Sequence, residues 1–205
     1  MQIIKSHELT LAFAFLQWHV TLSPMSDAHL PLLYQWNQRS GVLYWCEGDD
    51  VAANAPCDVD SIYGTISQKA IMFIIAVDGL PVGECWIQDM NLPELVQKYP
   101  QKMIQRMDVT IYEEAYWGRG LGTAINAALI QYAFESGKAD LMYAITQDYN
   151  IRAQRCLRKS GFRLDEVLAH ESTAKGKSEY CYAISREEYY DALAVKTIKG
   201  SVATF

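Results

Sequence analysis

The stretch Trp117-Gly-Arg-Gly-Leu-Gly122 stands between an apolar, strand-like run at residues 104–112 and a periodic helical stretch that begins near Leu121. Where a strand ends in a loop of closely spaced glycines and a helix follows, several backbone N–H groups at the start of the helix have no acceptor. These donors, together with the positive end of the helix dipole, suit a phosphate or a diphosphate. The stretch therefore predicts an α/β type of chain with an anion site at a strand-to-helix turn.

The glycine spacing does not by itself name the ligand. It lacks the full G-x-G-x-x-G of dinucleotide-binding units and the G-x-x-x-x-G-K-[ST] of P-loops. A glycine-rich turn that binds nothing is the alternative interpretation, and the rest of the chain has to decide between the two.

Composition and charge exclude several classes of protein. The chain has 205 residues, half of them apolar, with a formal net charge of −6. An acidic chain is not expected to bind nucleic acid, and it suits a cationic partner. Five cysteines without a C-x-x-C pair indicate reduced thiols in a cytoplasmic protein, and four histidines without metal-ligand spacing predict no metal site.

The longest apolar runs are too short for a membrane span, which needs about 18 residues. Residues 9–16 (LTLAFAFL) are the nearest approach to a signal sequence, but no small-residue cleavage site follows them. We interpret residues 1–17 as an N-terminal extension that packs as an extra strand or helix, and residues 18–205 as a single domain.

The periodicity along that domain predicts a mixture of strands and helices. A first strand at 19–22 and two helices precede strands at 71–77 and 82–88, which flank the hairpin turn Asp78-Gly79. Gly41 is expected to end the first helix, and residues 44–50 are expected to form an aromatic and acidic loop. A short helix follows at 92–99, then strand 104–112 and the helix after the glycines. A strand at 141–145, a helix at 150–160 and two final strands at 162–167 and 178–184 complete an α+β domain on a mixed sheet.

Two segments in this order carry a family resemblance. Tyr116-Trp-Gly-Arg-Gly-Leu-Gly-Thr123 and Asn150-Ile-Arg-Ala-Gln-Arg-Cys-Leu-Arg-Lys-Ser-Gly-Phe162 resemble the diphosphate loop and the N-x-x-A block of the GCN5-related N-acetyltransferase (GNAT) superfamily. Within it the chain most resembles the aminoglycoside 6'-N-acetyltransferases, through the Leu-Leu-Tyr-x-Trp pattern at 32–36, the pair Tyr44-Trp45, and Asp108. The resemblance implies the GNAT fold, a mixed and mostly antiparallel sheet flanked by helices with splayed central strands. It also implies acetyl-CoA as co-substrate.

The resemblance also implies which residues bind acetyl-CoA. Main-chain groups of 109–111 would pair with the pantetheine arm, the glycine loop would bind the diphosphate, and Asn150 would contact the cofactor or cap its helix. The predicted cofactor-binding residues are Val109, Thr110, Ile111, Trp117, Gly118, Arg119, Gly120, Leu121, Gly122, Thr123 and Asn150.

Two positions depart from the family pattern. Trp117 stands where Gln or Arg is usual, so backbone groups, helped by Arg119, would have to bind the diphosphate. Leu157 replaces the usual tyrosine that protonates the leaving thiolate. Tyr149, Tyr143 or water would have to take over this role, or the thiolate leaves unassisted.

Asp108 is the predicted catalytic residue. Alternation along its strand puts Arg106, Asp108, Thr110 and Tyr112 on one face. From the resemblance, Asp108 lies near the reacting centre, binds the substrate ammonium and accepts its proton. The structural alternative is an ion pair with Arg106 or with a neighbouring lysine. For the acceptor, the aromatic pair would stack on a sugar while loop carboxylates bind its ammonium groups. The predicted substrate-binding residues are Tyr44, Trp45, Glu84, Asp89 and Asp148, and Glu47, Asp49, Asp50 and Glu179 lie on loops that could join them.

Three functions compete at this point. The first is acetylation of the 6'-amine of aminoglycosides, which would confer antibiotic resistance. The second is acetylation of another amine, such as a polyamine, a peptide N-terminus or a siderophore precursor. The third is a non-catalytic acyl-CoA-binding domain, for which Leu157 and Trp117 speak. The expected partner is a small cationic amine rather than nucleic acid or a membrane, and the sequence leaves homodimer formation open.

Overall fold

The computed structural model describes residues 2–46, 56–169 and 178–202, with backbone alone for 56, 57 and 195–202. These residues form one eight-stranded sheet with the strand order β1-β2-β3-β4-β5-β6-β8-β7. The strands are β1 (Leu11–Phe15), β2 (Trp18–Pro24), β3 (Ala70–Val77), β4 (Leu80–Asp89), β5 (Ile104–Ile111), β6 (Leu141–Gln147), β7 (Arg163–Ala169) and β8 (Ser178–Ser185). The helices are α1 (Leu30–Trp36), α2 (Ser40–Cys46), α3 (Pro56–Ser67), α4 (Pro93–Lys98), α5 (Leu121–Glu135), α6 (Ile151–Lys159) and α7 (Arg186–Val202).

Apolar side chains divide the sheet into two covered faces. On one face α5 packs against β2 to β6 through residues such as Leu121, Ile125 and Leu129, all fully buried. On the opposite face α1, α2 and α3 cover the middle strands, where Trp36 stacks on Tyr112 with ring centroids 4.7 Å apart. Burial of this kind contributes most of the favourable free energy of folding.

The predicted hairpin between β3 and β4 is confirmed. Asp78 and Gly79 have φ angles of 50° and 81°, so both central residues lie in the left-handed region. This is the type I′ geometry whose twist matches that of the flanking strands. The N-terminal run that we expected to form an extra strand or helix forms a strand, because β1 pairs with β2 in an antiparallel hairpin.

The splay of the central strands decides where a ligand can enter. The parallel ladder between β5 and β6 contains only three pairs, the last joining Arg106 to Tyr143. On its other side β5 remains paired with β4 as far as Ile111. From Met107 onward one edge of β5 therefore lacks a neighbouring strand among the described residues. The predicted mixed, mostly antiparallel sheet with splayed central strands is confirmed.

Two sequence expectations about secondary structure were wrong, and one helix was missed. Gly41 does not end a helix: it lies in α2, where burial of Val42 and Leu43 compensates for the poor helix propensity of glycine. Tyr44 and Trp45 consequently lie on the last turn of α2 and not in a loop. Helix α7 was not predicted. Glu47, Asp49 and Asp50 lie outside the described residues.

Candidate active site

The glycine loop has the conformation that an anion site requires. Gly118 and Gly120 have φ angles of 72° and 86°, values that side-chain-bearing residues rarely adopt. Gly120 is the N-cap of α5, and the amide of Ala124 donates to its carbonyl at 3.1 Å. The amides of Leu121, Gly122 and Thr123 precede this first helical bond, so they have no acceptor within the helix. The helix start therefore offers the donors that suit the diphosphate of coenzyme A.

Two side chains pack closely against glycines of the loop. A Cβ added at Gly122 would lie 3.2 Å from the Sγ of Cys156 in α6, so a glycine lets α5 and α6 approach closely. A Cβ added at Gly120 would lie 3.1 Å from the ring of Phe15 at the end of β1. The N-terminal hairpin thus contacts the loop directly.

Trp117 contacts the end of the splayed strand. Its indole N–H donates to the carbonyl of Ile111 at 2.8 Å, so this carbonyl is occupied. The amide of Tyr112 donates to Val82 on the β4 side, and main-chain groups alternate along a strand. The main-chain groups of Val109 and the amide of Ile111 consequently face the gap, whereas those of Thr110 face β4. The prediction that Thr110 pairs with pantetheine through its main chain therefore does not fit this register.

Asp108 lies just beyond the last β5–β6 pair and is held by Arg106. The guanidinium donates two hydrogen bonds to the carboxylate, from Nε to Oδ2 at 2.8 Å and from Nη2 to Oδ1 at 3.1 Å. The ion pair that we considered as the structural alternative is therefore present. The Asp108 side chain remains 19% exposed, so the pair does not seal it from solvent. Trp86, which the sequence analysis did not single out, lies opposite Asp108 on the same face of the sheet.

Glu84 belongs to a buried network rather than to an open cleft. It is only 2% exposed, and its Oε1 accepts hydrogen bonds from the hydroxyls of Tyr63 at 2.7 Å and Tyr112 at 3.0 Å. Burial, with a further contribution from the Glu84 charge, raises the pKa of both tyrosines well above their ordinary values. The prediction that Glu84 binds substrate is therefore a poor fit to the structure, which places it among core side chains.

The end of α2 is attached to the connection between β6 and α6. The hydroxyl of Tyr149 donates to the carbonyl of Tyr44 at 2.5 Å, and Nδ2 of Asn150 donates to the carbonyl of Trp45 at 2.8 Å. Oδ1 of Asn150 accepts from the amide of Ala153 at 3.1 Å and so caps α6. The aromatic rings of Tyr44, Trp45 and Tyr149 form one cluster with centroids 5.0 to 6.0 Å apart. The capping role offered for Asn150 is confirmed, and its cofactor contact stays a prediction.

The side chains offered as replacements for the missing tyrosine are already engaged. Leu157 is buried beside α5, and the Tyr149 hydroxyl is bonded to the end of α2. The Tyr143 hydroxyl donates to Asp165, and burial, reinforced by that hydrogen bond, raises the pKa of Tyr143 far above its ordinary value. Both hydroxyls thus donate to other groups of the protein, and the source of the proton for the leaving thiolate stays a prediction.

The two remaining predicted acids are placed differently. Asp148 follows β6 and precedes Tyr149 in sequence; its Oδ1 is buried, and its carbonyl accepts from Nε2 of Gln154 at 2.7 Å. Asp89 pairs with Gln105 at the end of β4, three residues from Trp86, so alternation places it on the face opposite to Asp108. The structure therefore leaves Asp89 apart from Asp108, and substrate binding by Asp148 stays a prediction.

Asp165 is a structural residue that sequence reasoning missed. It is the extra residue at an irregularity in the β7–β8 ladder, and a bulge redirects a side chain. Its carboxylate accepts from Tyr143, from Tyr99 at 2.9 Å and from Lys98 at 3.0 Å. A lone acid in an alternating strand gives no sign of such a role.

Neither a metal site nor a membrane span is found within the described ranges. No cluster of three or more His, Cys, Asp or Glu side chains there could hold a metal ion. No helix in these ranges combines the length and apolarity that crossing a bilayer requires.

Comparison with known proteins agrees with this geometry. The family model for the Acetyltransferase (GNAT) domain matches residues 19–163, so the chain belongs to the GNAT acetyltransferase family. The aminoglycoside N(6')-acetyltransferase type 1 proteins of Klebsiella pneumoniae and Serratia marcescens are each 26% identical over 148 residues, which cover 70% of this chain and 73% of theirs.

Solved structures show the same fold. The aminoglycoside acetyltransferase AAC(6')-Ib, in complex with coenzyme A and kanamycin, superposes with a TM-score of 0.68 at 22% identity, over 84% of this chain and 98% of the other. Mycobacterium smegmatis RimJ, in complex with CoA-disulfide, superposes with a TM-score of 0.67 at 18% identity, over 83% of each chain. The family supports an acyltransferase that uses acetyl-CoA.

Proposed function

We propose that this protein transfers the acetyl group of acetyl-CoA to the amine of a small cationic acceptor, with the 6'-amine of an aminoglycoside as the first candidate. One observation carries the proposal: Asp108 lies immediately beyond the point where β5 and β6 separate, beside a free strand edge that leads to the glycine loop. A carboxylate at this position can meet an amine where a thioester bound along that edge would end.

The residues would divide the chemistry as follows. Bound acetyl-CoA would supply the acetyl group: a bond forms between the amine nitrogen and the thioester carbonyl carbon, the C–S bond breaks, and coenzyme A leaves as its thiolate. Asp108 binds the acceptor ammonium, and the proton passes to the carboxylate or to water so that the neutral amine can attack. The main-chain amides of Val109 and Ile111 face the gap, and one of them, that of Val109 next to Asp108, can donate to the carbonyl oxygen as charge develops on it. Arg106 is a positioning residue that fixes the carboxylate plane through its two hydrogen bonds.

Three features support an aminoglycoside as the acceptor. Tyr44 and Trp45 are half-buried rings near the splay, and aromatic faces suit a sugar ring. The chain carries a net charge of −6, which suits a cationic acceptor. The relatives at 26% identity bear the name of this activity.

A less highly charged amine, such as a peptide N-terminus, is the second candidate. The charge of Asp108 is balanced by Arg106, and a second guanidinium, that of Arg152, lies 4.5 Å from the centre of a Trp45 ring. Both cations weaken the attraction for a polycation. The two candidates therefore differ in how much negative charge the acceptor region must supply.

The test is acetyl transfer from acetyl-CoA to a panel of kanamycin, tobramycin, spermidine and peptides with free N-termini, followed by mass spectrometry. We expect one acetyl group on an aminoglycoside, and a drop in turnover of about 10²-fold or more in Asp108→Asn, the scale of general-base catalysis. Asp89→Asn is the matched control, because this acid lies on the opposite face, and its turnover should equal that of the wild type. Transfer to a peptide alone selects the second candidate, and an active Asp108→Asn refutes the mechanism.

A further inference from the structure

The side chain of Arg152 lies between two tryptophan rings. Its Cζ is 4.0 Å from the centre of a Trp117 ring and 4.5 Å from the centre of a Trp45 ring. Trp117 begins the glycine loop, Trp45 lies in the last turn of α2, and Arg152 belongs to the first turn of α6. Three elements that are distant in sequence therefore meet at one guanidinium beside the gap between β5 and β6.

The two tryptophan rings contact the faces of the guanidinium, so the N–H groups along its edge remain accessible to a ligand. Arginine carries five N–H donors in a planar fork, and an aromatic ring above the plane attracts the cation without occupying these donors. Within the described parts of the chain, no hydrogen bond or ion pair involves the Arg152 side chain, and the residue is exposed. Arg106, by contrast, donates to Asp108. Arg152 is consequently held in place while its donors stay available for a ligand.

The position of Arg152 indicates the charge of that ligand. Trp117 begins the glycine loop and is hydrogen-bonded to Ile111, so the guanidinium on its ring lies near the end of β5 and near the start of the loop. The N-terminal ends of α5 and α6 add positive potential on the same side. A bare cation here would repel a cationic acceptor, whereas an anion bound against the loop would neutralise it.

We propose that Arg152 binds the diphosphate of coenzyme A, completing with its side chain the site that the loop amides begin. The inference rests on the proposed function and identifies a residue for its co-substrate. It also supplies a charged donor to a loop whose first side chain, Trp117, can offer only an indole N–H that is already bonded to Ile111.

Calorimetry on the full chain tests this with Arg152→Gln, Arg152→Lys and the control Arg155→Gln, an exposed arginine one turn further along α6. Three probes are titrated: acetyl-CoA, acetyl-3'-dephospho-CoA and S-acetylpantetheine, which lacks phosphate. Arg152→Gln should raise the Kd of both nucleotides about tenfold or more, the effect of one charge-assisted hydrogen bond, and leave that of S-acetylpantetheine unchanged. Arg152→Lys should recover part of the loss because it keeps the charge, and Arg155→Gln should match the wild type.

Each other outcome has a defined meaning. An unchanged Kd in Arg152→Gln overturns the inference, as does an equal loss in both Arg152 variants, which would assign the effect to stacking. If Arg152→Gln weakened the binding of acetyl-CoA alone, the contact would be with the 3'-phosphate instead of the diphosphate, and this result would also overturn the inference. Should Arg152→Gln fail to fold by circular dichroism, Arg152→Lys and the three probes still decide the question. If the wild type itself does not bind acetyl-CoA, the proposed function fails rather than this inference alone.

Discussion

The left-handed conformation of Gly120 allows a quantitative test of the glycine loop. Gly120→Ala would place a side chain at a φ of 86°, which costs an L-residue about 1–2 kcal/mol. The new Cβ would also lie 3.1 Å from the Phe15 ring, which must shift by a few tenths of an ångström. Gly79→Ala is a matched control, since Gly79 has a φ of 81° and a Cβ added there would meet no atom within 4 Å. Gly79 also lies in a hairpin turn, away from the loop.

Gly120→Ala and Gly79→Ala should both be less stable than the wild type for the same reason, but only Gly120→Ala should bind acetyl-CoA more weakly. In a chain of this size, each kcal/mol lowers Tm by roughly 2–4 °C, so scanning calorimetry should find comparable losses, slightly larger for Gly120→Ala. Relief of strain at Gly120 rotates the peptide groups that begin α5, so the Kd for acetyl-CoA should rise about tenfold, or ~1.4 kcal/mol. Gly79→Ala should bind as the wild type does. If both variants bound acetyl-CoA with equal affinity, the hypothesis that the loop amides bind the diphosphate would be refuted.

Three further perturbations have expected outcomes. Gly83→Ala would bring a Cβ to 2.2 Å from the carbonyl oxygen of Thr110, so urea titration should find the free energy of unfolding lowered by about 3 kcal/mol. Gly41→Ala is the control: a Cβ added there meets no atom within 4 Å, so this variant should be as stable as the wild type or more stable. Burial raises the pKa of the Asp165 carboxyl, but hydrogen bonds from three donors outweigh burial and hold this pKa below its ordinary value. The stabilisation that Asp165 gives to the fold is therefore present above about pH 4 and is lost as pH falls through the pKa of the folded state. Asp165→Asn should lower the free energy of unfolding at pH 7, and the variant and the wild type should become equally stable in acid. Tyr63→Phe removes a buried donor and should cost about 1–3 kcal/mol below pH 10, with a smaller difference in alkali because the raised pKa stabilises only the protonated phenol.

Local signals predicted the parts of the fold that depend on local geometry. Asp78-Gly79 specified its turn because few residues adopt positive φ angles in succession, and the spacing of glycines at 118–122 specified the loop before α5. The splay of β5 and β6 came only from the family resemblance, since nothing in the periodicity of residues 104–111 shows where a ladder stops.

The parts that could not be predicted depend on contacts between distant segments. Alternation correctly placed Arg106 beside Asp108, but whether they pair depends on side-chain geometry. Glu84 looked like a substrate ligand because a carboxylate on a strand gives no hint of two tyrosines that arrive from elsewhere in the chain. Arg152 was not singled out from the sequence, because neither tryptophan that stacks on it is near in sequence.

The double attachment of Asn150 limits how this region can evolve. One amide serves two helices at once, with its oxygen on the amide of Ala153 and its nitrogen on the carbonyl of Trp45. Aspartate, its nearest isostere, would keep the first bond and set oxygen against oxygen at the second, while serine is too short to reach both. Neither substitution preserves both attachments, so either one would remove the hydrogen bond that ties the start of α6 to the carbonyl of Trp45 in α2.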